Sequence, residues 1–186
     1  MSIYFLSDTH FCHDRDFIYS PRGFKNVTEM NSAIIKNWNS VIHDDDDDVY
    51  ILGDIMLNDN IEGIKCLESL KGKIHIIIGN HDTDARIKSY NNCYNVVEVT
   101  AAKYLKIKGF HLFLSHYPCL CSNMDKEKTL DKRVISICGH THTKDRFSDM
   151  GEGLIYHVDC DAHNCTPVSF DEIINDIQSY IKDKKN

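Results

Sequence analysis

The sequence is poor in the residues that break regular structure. It contains three prolines and nine glycines among 186 residues, and hydrophobic residues make up 42% of the chain. This composition excludes the collagen-like, low-complexity and intrinsically disordered classes. The length suits one domain with a proper hydrophobic core, so we expect a single domain over residues 1–186.

Long hydrophobic runs are also missing. No segment approaches the roughly 20 apolar residues that a membrane-spanning helix needs. The apolar run near the N-terminus is short, has no basic region before it and reaches Asp8 early, unlike an export signal. We therefore expect a cytoplasmic protein without a membrane partner.

Positive charge is in deficit. Lys and Arg number 21 against 28 Asp and Glu, which gives a formal net charge of -7 and a pI of about 5.8. Without a basic stripe, a long nucleic acid is not an expected partner. A small anionic partner would need local positive charge, which a bound metal ion could supply.

The eight cysteines do not form a recognisable framework. None of them belongs to a CxxC motif, and scattered thiols in a reducing compartment behave as small apolar side chains. We therefore assign a structural role to all of them, at positions 12, 66, 93, 119, 121, 138, 160 and 165.

Strands and helices alternate in the first half of the chain. Apolar runs at 3–6, 49–52 and 74–78 predict buried strands. Amphipathic helices are predicted between them, one capped by Thr28 and ending near His43, the other from Ile61 to Leu70. The five aspartates at 44–48 lack the spacing of an EF-hand loop and are expected to form a solvated connection. This order predicts an α/β fold with a mostly parallel sheet.

The second half of the chain favours short strands and antiparallel pairing. Runs at 96–99, 104–107 and 110–114 predict strands, and Lys108-Gly109 predicts a hairpin between the last two. Further strands are predicted at 134–138 and 154–158. Ser169 and Glu172 form a capping-box pattern that opens a final amphipathic helix.

Polar residues follow five of the predicted strands at the point where each strand ends. In open α/β sheets such residues converge on a crevice beyond the carboxyl ends of the strands. Imidazoles, carboxylates and an amide oxygen together suit manganese, iron, zinc, nickel or cobalt better than calcium. The candidates exceed what one ion needs, which indicates two ions; they are Asp8, His10, Asp54, Asn80, His81, His116, His140 and His142.

The order of these residues resembles the calcineurin-like metallophosphoesterases. The blocks are Asp8-x-His10, Gly53-Asp54, Gly79-Asn80-His81-Asp82, His116 and Gly139-His140-x-His142, and the resemblance runs from residue 7 to about residue 142. The GNHD and GHTH blocks are the part of the resemblance that points to this family, because a lone DxH or GD motif is no evidence of membership. The resemblance implies a two-sheet β-sandwich flanked by helices, within the α/β class.

The resemblance also implies a role for each residue. Asp8, His10 and His142 would hold one metal ion, Asn80, His116 and His140 the other, and Asp54 would bridge them. The implied cofactors are two divalent ions, with manganese the first expectation. The implied reaction is hydrolysis of a phosphate monoester or phosphodiester by a metal-bridging hydroxide, with His81 as general acid. Asp82 is expected to orient the His81 imidazole.

Three further residues near these blocks leave alternatives open. His13 either contacts the substrate or orders its loop. Arg22 is the candidate for binding a phosphoryl oxygen, because a guanidinium pairs bidentately with phosphate, with a surface residue as the alternative. His163 could line the rim of the site, although a loop position without a functional role is favoured. We also expect Asn80 to contact the substrate, a small phosphorylated molecule.

Two other functions compete with this hypothesis. Some proteins with this fold have lost catalysis and serve as binding scaffolds, but such losses usually remove ligands that are intact here. A nuclease acting on short or cyclic nucleotides is the other alternative.

Overall fold

The computed structural model describes residues 2–120, 128–149 and 154–183, and in these ranges it contains two five-stranded sheets. In chain order the strands are β1 (Ile3–Leu6), β2 (Asp48–Ile51), β3 (Lys73–Ile77), β4 (Val96–Thr100), β5 (Ala102–Ile107), β6 (Phe110–Ser115), β7 (Val134–Cys138), β8 (Phe147–Asp149), β9 (Leu154–His157) and β10 (Val168–Ser169).

The first sheet has the order β10-β1-β2-β3-β4. Strands β1 to β4 are parallel, and β10 pairs antiparallel with β1. The second sheet has the order β5-β6-β7-β9-β8. Its β6, β7 and β9 are parallel, whereas β5 and β8 pair antiparallel at the two edges. The predicted parallel pairing of the first half is confirmed, and so is antiparallel pairing of β5 with β6. The expected antiparallel pairing is wrong for β4 with β3, β6 with β7 and β7 with β9, which pair in parallel because crossover connections, not tight turns, join them.

Five α-helices occur in the described ranges: α1 (Asp16–Tyr19), α2 (Val27–Val41), α3 (Asn60–Glu68), α4 (Asp84–Tyr90) and α5 (Phe170–Asp183). None of them has the length and apolarity that crossing a bilayer requires. The N-cap of α2 is Asn26, not Thr28 as predicted, because the Asn26 side chain accepts the Glu29 N–H. The capping box before α5 is confirmed, since Ser169 and Glu172 bond reciprocally.

The core has two parts, one on each face of the first sheet. On one face Leu6 and Ile51 pack with Ile34 and Trp38 of α2. The other face packs against the second sheet and α5, through residues that include Phe5, Leu52, Leu114, Ile137, Tyr156 and Ile173. Burial on both faces explains why β1 and β2 consist mainly of apolar residues. The fold is therefore a two-sheet sandwich flanked by helices, in the α/β class, as expected.

The aspartate run departs from its prediction. Asp48 begins β2 and accepts a hydrogen bond from His75, so the run is not wholly a connection. Asp47 is buried, and its carboxylate accepts the Ser2 N–H at 2.5 Å. The predicted hairpin at Lys108-Gly109 is confirmed, with φ of 49° and 90° at the two turn residues.

Candidate metal centre

The centre lies beyond the carboxyl ends of strands from both sheets. Loops after β1, β2 and β3 bring in Asp8, His10, Asp54, Asn80 and His81, and loops after β6 and β7 bring in His116, His140 and His142. Five of these residues have left-handed backbone conformations, with φ from 48° to 73°: Asp8, His10, Asp54, His140 and His142. Such conformations cost energy for residues with a Cβ and cluster at functional sites.

Close packing of the loops explains two glycines of the motif blocks. A Cβ on Gly79 would lie 2.3 Å from Asp54 Oδ1, and a Cβ on Gly139 would lie 2.1 Å from Ser7 Oγ. Only glycine leaves room for the neighbouring carboxylate and hydroxyl at these points. The glycines therefore set how closely the loops approach each other.

The first cluster of candidate ligands consists of Asp8, His10 and His142. The Nε2 atoms of the two histidines are 3.1 Å apart. Asp8 Oδ1 lies 3.8 Å from His10 Nε2 and 3.6 Å from His142 Nε2. The three side chains thus point their ligand atoms at one small volume.

The second cluster consists of Asp54, His116 and His140, with Asn80 beside it. His116 Nε2 is 3.2 Å from His140 Nδ1 and 2.9 Å from Asn80 Oδ1. The other ring nitrogen of His116 is 2.7 Å from the Leu52 carbonyl oxygen, to which it donates, so Nε2 keeps its lone pair.

Asp54 lies between the clusters. Its Oδ2 is 3.9 Å from His10 Nε2 and 3.5 Å from His116 Nε2. Its Oδ1 accepts the backbone N–H of His81 at 2.8 Å. One oxygen of Asp54 therefore faces both clusters, while the other is held by the loop that carries His81.

The chemistry of the donors fits divalent transition-metal ions. Asp8 Oδ1 is buried without a hydrogen-bond partner, whereas its Oδ2 accepts from Ser7 and from the His140 N–H. Burial, with the nearby Asp159 charge, raises the pKa of Asp8 to about 7. Burial lowers the pKa of His10, which leaves its imidazole neutral and able to bind metal. An unpartnered carboxylate oxygen facing two imidazoles is the donor set that such an ion satisfies.

His81 lies beside the two clusters and belongs to neither. Its side chain is 44% exposed, and its Nε2 is 3.9 Å from Asp54 Oδ2. Its ring lies next to those of His10 and His13, with centroid distances of 5.7 and 6.4 Å. An exposed imidazole at the edge of the centre can exchange protons with solvent and with a bound molecule.

Asp82 does not do what the sequence suggested. Its Oδ2 accepts the N–H groups of Asp54 and Gly79, and its Oδ1 accepts the Tyr90 hydroxyl at 2.8 Å. Burial and the Asp82 charge raise the pKa of Tyr90, so this hydroxyl keeps its proton. Among the described residues we find no hydrogen bond from Asp82 to the His81 imidazole. Asp82 holds two loops together instead of orienting that ring.

His13 and His163 are both buried. His13 Nδ1 is 3.2 Å from His10 Nδ1, the ring nitrogen of His10 that faces away from the cluster. This contact favours ordering of the loop and of His10. His163 Nε2 donates to the His157 carbonyl at 2.9 Å, in keeping with the favoured loop position.

The position of Arg22 argues against the expected contact with a phosphoryl oxygen. Its side chain is 2% exposed, and its guanidinium pairs with Asp161 at 2.8 Å. The remaining N–H groups face the carbonyl oxygens of Asp8 and Thr9. A buried guanidinium with these partners has no donor directed at solvent, where a substrate would enter. The alternative prediction, that Arg22 is a surface residue, is also wrong, because its side chain is buried.

Sequence reasoning missed two carboxylates that contact His142. Asp159 Oδ1 accepts the His142 backbone N–H at 2.8 Å, and Asp161 Oδ2 lies 3.1 Å from His142 Nδ1. Both follow β9, so the pattern of polar residues after a strand end was present there too. Tyr117, half-exposed and edge-on to the His116 and His140 rings, was also missed because a tyrosine after a strand has no distinctive spacing.

Comparison with known families agrees with this geometry. Residues 1–157 match the model of the calcineurin-like phosphoesterase superfamily domain. The chain belongs to this superfamily. Hydrolysis of phosphoester bonds with the help of metal is therefore the activity class to which its relatives point.

Individual relatives cover the chain to different extents. An uncharacterized protein of Methanocaldococcus jannaschii, MJ1445, is 34% identical over 95% of this chain and 91% of its own length. A symmetrical bis(5'-nucleosyl)-tetraphosphatase of Buchnera aphidicola is 33% identical over 44% of this chain and 24% of its own length. The shorter match leaves most of that enzyme without a counterpart here.

Solved structures share the fold. The protein AQ665 of Aquifex aeolicus, of unknown function, superposes with a TM-score of 0.70 at 26% identity, covering 94% of this chain and 98% of that one. An archaeal phosphodiesterase superposes with a TM-score of 0.50 at 18% identity, covering 88% and 87% of the two chains. The second likeness concerns the fold alone.

Proposed function

We propose that the protein hydrolyses a phosphate monoester or phosphodiester at a pair of divalent transition-metal ions. The observation that carries this proposal is the single Asp54 oxygen that faces both ligand clusters. Two neighbouring cations repel each other, and a shared carboxylate is what offsets that repulsion.

Each side chain has a role in holding the ions. Asp8, His10 and His142 would hold the first, and Asn80, His116 and His140 the second, with Asp54 common to both. When bound, such ions supply Lewis-acid activation of water and neutralise charge on the phosphoryl oxygens. Manganese is our first expectation; iron, zinc, nickel and cobalt suit the same nitrogen and oxygen donors.

His81 is the group that we assign to proton transfer. Hydrolysis releases an alkoxide-like oxygen that needs a proton, and an imidazole is the commonest side chain to supply one near neutral pH. The bond from the His81 N–H to Asp54 Oδ1 fixes the backbone beside the centre, while the ring stays exposed. His81 can thus protonate the leaving oxygen and then regain its proton from solvent.

The substrate that we propose is small and phosphorylated. Asn80 is exposed, so its amide N–H groups are available to a phosphoryl oxygen while its Oδ1 faces His116. The partial likeness to bis(5'-nucleosyl)-tetraphosphatases makes short nucleotides reasonable candidates. The retained ligand set favours an enzyme over a catalytically inactive scaffold.

The experiment that tests this function combines metal counting with an activity screen. Protein loaded with manganese should contain two ions per chain and hydrolyse members of a panel of phosphate monoesters, diesters and cyclic diesters. Asp54→Ala should weaken metal binding at both sites and abolish hydrolysis, because the Asp54 carboxylate contributes to both sites. Asp48→Ala is the matched control, since Asp48 lies at the opposite end of β2 and contacts His75.

Two results would contradict the proposal. One ion or none at saturating manganese, with Asp54→Ala unchanged in metal binding, would exclude the paired site. Two bound ions without hydrolysis of any ester class would favour the scaffold.

A further inference from the structure

We propose that Arg22 and Asp161 form a positioning pair that fixes the His142 imidazole with its Nε2 facing Asp8. Asp161 Oδ2 lies 3.1 Å from His142 Nδ1 and accepts from Arg22 Nη2 at 2.8 Å. The inference rests on the proposed function, because it treats His142 as a metal ligand, and it assigns to Arg22 a role other than substrate binding.

The carboxylate of Asp161 selects one tautomer of His142. An ionised carboxylate only accepts hydrogen bonds, so the ring nitrogen that faces it must carry the hydrogen. The other nitrogen, Nε2, then keeps its lone pair and lies 3.6 Å from Asp8 Oδ1. A metal ligand oriented by a carboxylate behind its ring is a recurring arrangement in metal sites. Arg22 Nη2 lies farther from Nδ1, at 3.4 Å.

Arg22 in turn fixes Asp161. Its Nε donates to Asp161 Oδ1 at 3.2 Å and its Nη2 to Oδ2, which is the planar two-point pairing that a lysine cannot reproduce. Nη2 also donates to the Asp8 carbonyl oxygen at 2.8 Å. One guanidinium therefore links the loop that carries Asp8 with the carboxylate that orients His142.

The backbone of His142 has a separate contact. Its N–H donates to Asp159 Oδ1 at 2.8 Å, independently of Asp161. Changing Asp161 should therefore leave the loop in place and release only the ring. This separation makes the orientation of the ring testable without unfolding the loop.

The first measurement uses the metal-free protein. Long-range ¹⁵N NMR at alkaline pH, where imidazoles are neutral, should show the hydrogen of His142 on Nδ1. In Asp161→Asn one of the two carboxylate oxygens becomes an NH₂ group, and Arg22 competes with His142 for the remaining oxygen. The Nδ1-H preference of His142 should then decrease. Asp176→Asn, which removes the carboxylate paired with Arg146 elsewhere, is the control and should leave the His142 signals unchanged.

The second measurement is manganese binding by calorimetry. Asp161→Asn and Arg22→Lys should each raise the dissociation constant of one of the two manganese ions by about 10- to 100-fold, which is the usual effect of removing a group that supports a metal ligand. The other ion should bind as in the unmodified protein. An unchanged dissociation constant in both variants would overturn the proposal, as would His142 protonated at Nε2 in the unmodified protein.

Hydrolysis separates positioning from substrate contact. Arg22→Lys should lower kcat/KM by a similar factor for monoesters and diesters, because it acts through His142. A loss confined to monoester dianions would overturn the proposal in favour of a phosphate contact. If the unmodified protein bound no metal, the proposed function would fail, and the NMR measurement would decide the orienting role of the pair by itself.

Discussion

At the scale of single residues, three candidate ligands point one ring nitrogen at the centre and make a second contact through the other. The Leu52 carbonyl holds His116, Asp161 holds His142, and His13 contacts the outer nitrogen of His10. A contact with an oxygen that only accepts fixes both the tautomer and the direction of a ring before any ion arrives, whereas the contact with the His13 ring fixes only the direction of His10. Among the described residues we find no hydrogen bond to the His81 ring. This difference separates the candidate metal ligands from the residue that we propose for proton transfer.

His81→Ala should therefore keep both ions and lose rate. General acid catalysis typically contributes about 100- to 10,000-fold, so hydrolysis of an alkyl phosphate, whose leaving oxygen needs a proton, should fall within that range. A p-nitrophenyl ester should lose much less, because its leaving group departs as a stable anion. Steady-state kinetics on the two esters, together with metal analysis, makes the comparison.

His111→Ala is the matched control for the His81 measurement, because His111 lies in β6 and contacts Tyr104. It should leave both rates unchanged. Equal losses on both esters in His81→Ala, or loss of an ion, would show that His81 acts through charge or coordination instead.

The candidate ligands could be predicted from sequence because each has a side chain that commonly binds metal and lies shortly after an apolar run. The groups that contact these ligands from outside the centre could not be predicted. The Leu52 carbonyl has no sequence signature. The sequence predicts that Asp82 orients His81 and that Arg22 binds a phosphoryl oxygen, because their chemistry suits those roles. Only packing shows that Asp82 points at backbone N–H groups and that Arg22 is covered. Burial of a polar side chain is a tertiary property that spacing does not encode.

At the scale of elements, the long and strongly periodic segments were predictable and the short ones were not. Strands β1 and β7 match their predicted ranges, since buried parallel strands consist of nearly continuous apolar residues, with Ser136 the one polar residue of β7. The four-residue α1 and two-residue β10 lack enough residues to show a period. Helix α4 starts within two residues of Asp82 and was hidden by the polar sequence of that loop.

Loop packing around the centre gives a prediction at this scale. Gly139→Ala should destabilise the protein by about 1–3 kcal/mol, the usual cost of overpacking, because the new Cβ would meet Ser7 Oγ and Asp8 Oδ2. It should also weaken manganese binding, because Asp8 must move. Urea unfolding and manganese titration measure the two effects.

Gly109→Ala is the comparison for this change. Gly109 has a φ of +90° and open space around it, so alanine there strains the hairpin turn without touching the centre. Stability should fall by about 1 kcal/mol or more, and manganese affinity should stay constant. If Gly139→Ala also bound manganese normally, crowding at Asp8 would not be the reason for the glycine.

At the scale of the whole molecule, the centre connects the two sheets. Asp8, His10 and Asp54 come from loops of the first sheet, and His116, His140 and His142 from loops of the second. Each candidate cluster contains members from both sheets. A complete ligand set thus exists only when the sandwich is assembled, and the unfolded chain does not present one. Metal binding must then favour the assembled state.

Manganese should consequently raise the thermal stability of the protein. Each ion present at 100 times its Kd adds about 2.7 kcal/mol to the free energy of unfolding, provided that the unfolded chain does not bind it. For a chain of this size that corresponds to a rise in Tm of roughly 5–11 °C per ion. Scanning calorimetry in manganese and in a chelator measures the shift. The control variant Asp176→Asn should retain the full rise in Tm, while Asp8→Ala should lose the part of the rise that comes from the first cluster. Equal Tm values with and without manganese would mean that the clusters do not link the sheets through metal.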